Sequence, residues 1–122
     1  MDRRIRAVLE LLQNEWRKTV RVDELALHVN LGKSRLEHLF RREAKMSIRD
    51  FIRERRLAEA VTMLAATEEP VSVISYRAGF PDVSNFNHAF KRKFGMSPRQ
   101  YRERLRTQFE CGNDQENADS TN

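Results

Sequence analysis

Cysteine is nearly missing from this chain: its 122 residues include one, Cys111. A single thiol excludes an internal disulfide framework and fits a reducing compartment. Glycine (4) and proline (3) are scarce, and no segment alternates apolar and polar residues as a strand does. Sheet-rich folds are therefore excluded, and an all-α class is expected. No apolar run approaches the roughly 20 residues of a membrane span, and Met1-Asp2-Arg3-Arg4 is not followed by a signal-peptide core. His28, His38, His88 and Cys111 share no zinc-binding spacing. There is no nucleophile–base pair and no phosphate-cradling glycine loop. The expectation is a cytoplasmic chain with no metal, cofactor, membrane contact or catalysis.

Basic charge, by contrast, is plentiful. Lys and Arg number 23 against 18 Asp and Glu. Four of those acids, Glu110, Asp114, Glu116 and Asp119, fall in the last thirteen residues, which contain no base. The rest of the chain thus carries 23 bases against 14 acids, a surplus that suits a polyanionic partner. Residues 107–122 read as a polar, disordered acidic tail.

Helical spacing organises everything before that tail. Residues 47–66, SIRDFIRERRLAEAVTMLAA, contain no Gly or Pro and are rich in Arg, Glu, Ala and Leu, so a helix of about five turns is expected. Ile48, Phe51 and Ile52 cluster on one side of a helix, whereas Leu57, Ala60, Val61 and Leu64 cluster nearly opposite. A helix that changes its buried face halfway along serves two cores, so this one is read as a rigid connector. Before it, helices are expected at 2–18, 23–29 and 33–44, with Asn30-Leu31-Gly32 as a tight turn. Trp16 lies on the apolar stripe of the first and is assigned to the core rather than to base stacking. After it, helices are expected at 72–78, 83–94 and from Pro98 to about 106. Gly79 and Gly95 serve as left-handed caps, and Asp82 and Ser97 as N-caps. Seven helices result, in two helix-turn-helix units (1–46 and 67–106) flanking the connector 47–66.

The two units repeat each other. At an offset of fifty, Ser34, Leu36, His38, Phe40, Arg41, Arg42, Met46, Ser47 and Phe51 match Ser84, Phe86, His88, Phe90, Lys91, Arg92, Met96, Ser97 and Tyr101. Upstream of the turns the offset is forty-nine: Val22 pairs with Val71, and Leu25 with Ile74. The two turns therefore differ by one residue.

The second copy reads Ile74-Ser75-Tyr76-Arg77-Ala78-Gly79-Phe80-x-Asp82-x-Ser84-x-Phe86, then Phe90-Lys91-x-x-Phe94-Gly95-x-Ser97-Pro98-x-x-Tyr101-Arg102. This resembles the signature of the AraC/XylS transcription regulators. The first copy, with Arg56-Leu57-x-x-Ala60-x-x-x-Leu64, is similar to that family's first helix-turn-helix. The resemblance covers about residues 5–106 and implies the family's fold of seven helices. Three positions depart from the family pattern: Gly32 replaces a Ser cap, Lys45 a Gly, and Ser75 an Ala. The family's usual ligand-binding and dimerisation domain does not appear, so the layout expected is that of its short stand-alone members or of an excised domain.

On DNA, recognition helices lie in the major groove with their N-terminal residues near base edges. Two readers reach adjacent segments when they sit about one turn, roughly 34 Å, apart. A connector of about twenty residues spans about 30 Å, which is of that order. Base-reading candidates are Ser34, Arg35, Glu37 and His38 in the first reader, and Val83, Ser84, Asn85, Asn87 and His88 in the second. Arg pairs with guanine, Asn with adenine, Glu with cytosine N4, and Val83 with a thymine methyl. Glu37 is equally able to pair with Arg41 one turn on, and Val83 to staple the helix start. Phosphate candidates are Arg41, Arg42, Lys45, Lys91, Arg92 and Arg99. The N-termini of the helices at Ile48 and Pro98 also offer backbone N–H groups to phosphates.

The reading is a sequence-specific, double-stranded DNA-binding transcription regulator, monomeric on DNA because one chain carries two readers, with RNA polymerase as the expected protein partner. The alternative is a protein-interaction module, a decoy or polymerase partner, that keeps the fold without readout; the basic outward faces argue against it. An alkyl-acceptor role for Cys111 is remote, since no basic or His neighbour lowers its pKa.

Overall fold

The structure, a computed structural model, describes residues 1–108. Those residues are all-α. α1 is Arg3–Glu15, α2 Val22–His28, α3 Lys33–Ala44, α4 Ile48–Ala66, α5 Val71–Arg77 and α6 Val83–Phe94. A seventh helix, α7, runs from 98 to 108, past the end expected at 106. Cys111 and the acidic residues of the expected tail lie outside the described residues.

The two-faced connector divides the core as its sequence indicates. Ile48 joins Ile5, Val8, Leu12, Leu25, Leu36 and Phe40, with Phe51 and Ile52 packed against that cluster. Leu57, Ala60 and Leu64 join Ile74, Ala78, Phe80, Phe86 and Phe90 instead. The C-terminal half of α4 thus does for the second unit what α1 does for the first. Its buried residues Leu57, Ala60 and Leu64 repeat the spacing of Ile5, Val8 and Leu12.

The repeat extends to backbone detail. The Leu31 N–H donates to Ala26 O at 2.9 Å, and the Phe80 N–H to Ser75 O at 3.0 Å. Asn30 (φ 57°) and Gly79 (φ 90°) hold the left-handed position of these matching turns; Asn is among the few residues that accept it. The extra residue of the second turn is Pro81, since the offset is forty-nine through Phe80 and fifty from Asp82 onward. Lys45 (φ 65°) and Gly95 (φ 76°) end α3 and α6 alike. Their N–H groups donate to Arg41 O at 2.9 Å and Lys91 O at 2.8 Å. The Phe51 ring stands edge-on to Phe40 at 5.9 Å, as Tyr101 does to Phe90 at 5.3 Å.

Capping explains where the later helices start. Ser47 Oγ accepts from Asp50 N at 3.0 Å, and Asp82 Oδ1 from Asn85 N at 2.6 Å. Ser97 and Gln100 form a reciprocal capping box at 3.1 and 2.9 Å. Gly32 offers no side-chain cap to α3. Ser75 is fully buried, and its hydroxyl donates to Ser72 O at 2.8 Å, so replacing the family's Ala leaves no orphaned polar group.

α1 ends three residues before the expected 18. Trp16, Arg17 and Lys18 form a turn, and Trp16 is buried at 6 % exposure. Two carbonyls of this turn, those of Trp16 and Lys18, accept from the Arg56 guanidinium of α4 at 2.9 and 3.0 Å. In the second unit Arg102, only 9 % exposed, closes the end of α4. It donates to Glu69 O at 2.6 Å and to Leu64 O and Thr67 O at 3.3 Å each.

Candidate nucleic-acid interface

A reading helix must bury one face firmly and leave the other free. α3 buries Leu36 and Phe40, and α6 buries Phe86 and Phe90. The remaining positions follow from helical geometry. Ser34, Arg35, Glu37, His38, Arg41, Arg42 and Lys45 are all exposed on or just after α3. Ser84, Asn85, Asn87, His88, Lys91 and Arg92 are exposed on α6. Val83 is half-buried at the start of α6, and Arg99 is exposed at the start of α7.

Pairing sorts the cations only in part, since the exposed Arg3, Arg6, Arg17, Arg21, Arg49 and Arg104 also hold no carboxylate among the described residues. Lys33, Arg53, Arg55, Arg77, Lys93 and Arg106 each hold a carboxylate. Arg35, Arg41, Arg42, Lys45, Lys91, Arg92 and Arg99 hold none among the described residues. Lys93 shows the contrast on a single helix: it leans to the side of α6 and pairs with Glu54 of α4, whereas Lys91 and Arg92 stay open. Glu37 likewise has no ion pair among the described residues, so the Glu37–Arg41 alternative is not formed. Unpaired exposed cations keep their full attraction for a polyanion, because no internal carboxylate has to be displaced. Arg41, Arg42, Lys91 and Arg92 also sit in the last turns of their helices, where a positive charge complements the helix dipole.

α4 contributes to the surroundings of the second reader. An open groove of about 480 Å³ runs between α4 and α6, lined by Asp50, Arg53, Glu54, Asn85, His88 and Arg92. Three proposed contact residues of α6 therefore lie beside the connector. Arg53 is held to Asp50 at 3.3 Å along this groove. The sequence analysis does not place these connector residues beside α6. Their i,i+3 spacing on the face that leads into Leu57 was the available signal.

Comparison with known proteins identifies the arrangement. A family profile described as a helix-turn-helix domain matches residues 25–104. The arabinose operon regulatory protein of Escherichia coli (strain K12) is 30% identical over 103 residues, which is 84% of this chain and 35% of that protein. The HTH-type transcriptional activator RhaR of Yersinia pseudotuberculosis serotype O:1b (strain IP 31758) is 42% identical over 70 residues, 57% of this chain and 24% of its own. The chain thus spans about a third or less of the length of these curated relatives. Among solved structures, the DNA-binding domain of AdpA in complex with a target DNA superposes with a TM-score of 0.81 at 20% identity. It covers 88% of this chain and 96% of that domain. A probable AraC family transcriptional regulator from Rhodopseudomonas palustris CGA009 gives 0.76 at 22% identity, covering 85% and 98%. The chain belongs to the AraC-type family of helix-turn-helix domains, a family of transcription regulators.

Proposed function

We propose that this chain is a sequence-specific, double-stranded DNA-binding transcription regulator that reads two adjacent major-groove segments with α3 and α6. The observation that carries this reading is the set of exposed cations on and beside both reading helices, none engaged by a carboxylate among the described residues. Ser34, Arg35, Glu37 and His38 read bases in the first segment. Val83, Ser84, Asn85, Asn87 and His88 read them in the second. Arg41, Arg42, Lys45, Lys91, Arg92 and Arg99 hold phosphates. The units are 1–46 and 67–106, joined by 47–66. The protein acts in the cytoplasm, binds DNA as a monomer and catalyses no reaction, and RNA polymerase is its protein partner.

The test is a mobility shift against random genomic duplexes at moderate salt, followed by sequencing of the retained fraction. Enrichment of a site with two halves about one DNA turn apart is expected. Asn85→Ala or His88→Ala lowers discrimination at a defined base pair. Lys91→Ala weakens all sequences alike and lowers the salt slope by about 1. No preference for any sequence would refute the proposal.

A further inference from the structure

α1 and α2 each pack on α3 and α3 packs on α4, while α5 and α6 pack on each other and on α4. The connector is the one element that belongs to both cores. Over its 19 residues, about 28 Å long, a swing of about 10° moves the far end by about 5 Å. Two readers meant for one duplex need tighter control, of order 0.5 Å.

A second joint exists at the middle of α4. The Arg56 fork donates through Nε to Trp16 O and through Nη2 to Lys18 O, at 2.9 and 3.0 Å. The turn of the second unit rests on the same group. A Cβ built on Gly79 would lie 3.0 Å from Arg56 Nε and 3.2 Å from the Arg17 Cα and O atoms. A side chain at 79 would crowd α1's end, whose backbone would have to give by a few tenths of an ångström, and the φ of 90° independently favours glycine. Arg17 and Arg55 flank the Trp16 ring at 4.9 and 5.9 Å, so the joint is packed as well as hydrogen-bonded. Desolvation lowers the Arg56 pKa below its ordinary value, yet arginine remains charged at any working pH.

The second unit closes the same kind of helix end differently. Arg102 corresponds in the repeat to Ile52, one turn before Arg56. At 56, the clamp lies under the glycine of the second unit.

We infer that Arg56 is a positioning residue that sets the second reading helix relative to the first, by clamping the end of α1 to the connector where the Gly79 turn rests. It touches no DNA, and its consequence for binding rests on the two-segment reading proposed above. A Lys at 56 keeps the charge but cannot supply the planar fork to two carbonyls.

The experiment measures the distance between spin labels on the two readers by pulsed electron–electron resonance, without DNA. Labels go on Glu37→Cys and Lys91→Cys in the full chain carrying Cys111→Ser. Wild-type Arg56 should give one narrow distance distribution. Arg56→Ala and Arg56→Lys should each widen it at least twofold with helix content by circular dichroism retained, and Gly79→Ala should shift its mean. A merely stabilising Arg56 would lower the melting temperature and leave the width unchanged, and an unchanged width in either folded variant overturns the inference. If Arg56→Ala does not fold, Arg56→Lys decides. On duplexes selected from a random library by the wild type, moving the two halves apart by one base pair should cost the wild type at least tenfold in affinity and Arg56→Lys less than threefold. Equal losses in both overturn the inference. Failure of the wild type to select any duplex overturns the DNA reading and leaves the label result standing.

Discussion

Replacing Arg102 by Met tests how the second unit holds its shape. The guanidinium donates to three backbone carbonyls, at 2.6 Å to Glu69 and 3.3 Å to Leu64 and Thr67. Met keeps much of the apolar stem and leaves little void, so the loss is mainly of hydrogen bonds. A hydrogen bond to a charged group contributes about 1.5 kcal/mol at the lower end. With the short bond at full weight and the two long ones at half, the loss is about 3 kcal/mol. That is roughly a 150-fold change in the folding equilibrium, or a fall in Tm of about 12–24 °C for a domain of this size. Urea denaturation should show the midpoint falling at constant slope. Arg102→Lys should recover about half, since one ammonium reaches fewer of the three acceptors. Native-state hydrogen exchange should place the new openings in α5 and the C-terminal end of α4, before α2 and α3. A loss below about 1 kcal/mol, or openings spread evenly over both units, would refute the capping account.

Bringing the caps of the first copy toward those of the second should stabilise the fold. Lys45→Gly relieves a left-handed residue at φ 65° and should gain about 1 kcal/mol; on the proposed function it should also lower the DNA salt slope by about 1. Gly32→Ser adds a cap where the new Cβ meets nothing within 4 Å and should gain about 0.5 kcal/mol; both are read from thermal melts. The N-cap of α1 should titrate. The Arg4 side chain hydrogen-bonded to Asp2 lowers its carboxyl from 3.8 to about 2. A lowered folded value means stability present above pH 3.8 and lost as pH falls through about 2. The difference in urea midpoint between wild type and Asp2→Asn should therefore be constant above about pH 5 and shrink progressively as pH falls to about 2 and below.

Much of this was legible in the residues, and the reasons are particular. The switch of core at Ile52–Leu57 could be read because a 3.6-residue period turns spacing into direction. The reading faces followed as the complement of Leu36, Phe40, Phe86 and Phe90. Arg102 was visible as part of a signature, but its role was not, since its acceptors lie 33–38 residues upstream and leave no periodic trace. Arg56 was likewise visible as part of the family-like run Arg56-Leu57-x-x-Ala60-x-x-x-Leu64, with nothing in the spacing to assign it a role. Only the fold brings its two carbonyls and Gly79 to it. The same clamp explains why α1 stops at Glu15: carbonyls that a longer helix would satisfy internally are satisfied from α4. The half-burial of Val83 likewise depends on packing that the cap pattern alone does not specify.

A connector made of one uninterrupted α-helix has a consequence for how such a protein can diversify. Inserting a single residue near Arg55 would advance the second unit by about 1.5 Å and rotate it by about 100°, tearing Gly79 from its seat and, on the proposed function, turning α6 off the duplex. Small insertions and deletions that a surface loop would absorb are thus closed to this segment. Phase returns only after about seven residues, two turns and some 10 Å further on. Lineages carrying this architecture are expected to vary the letters they read by point substitution, while holding the length of the helix fixed.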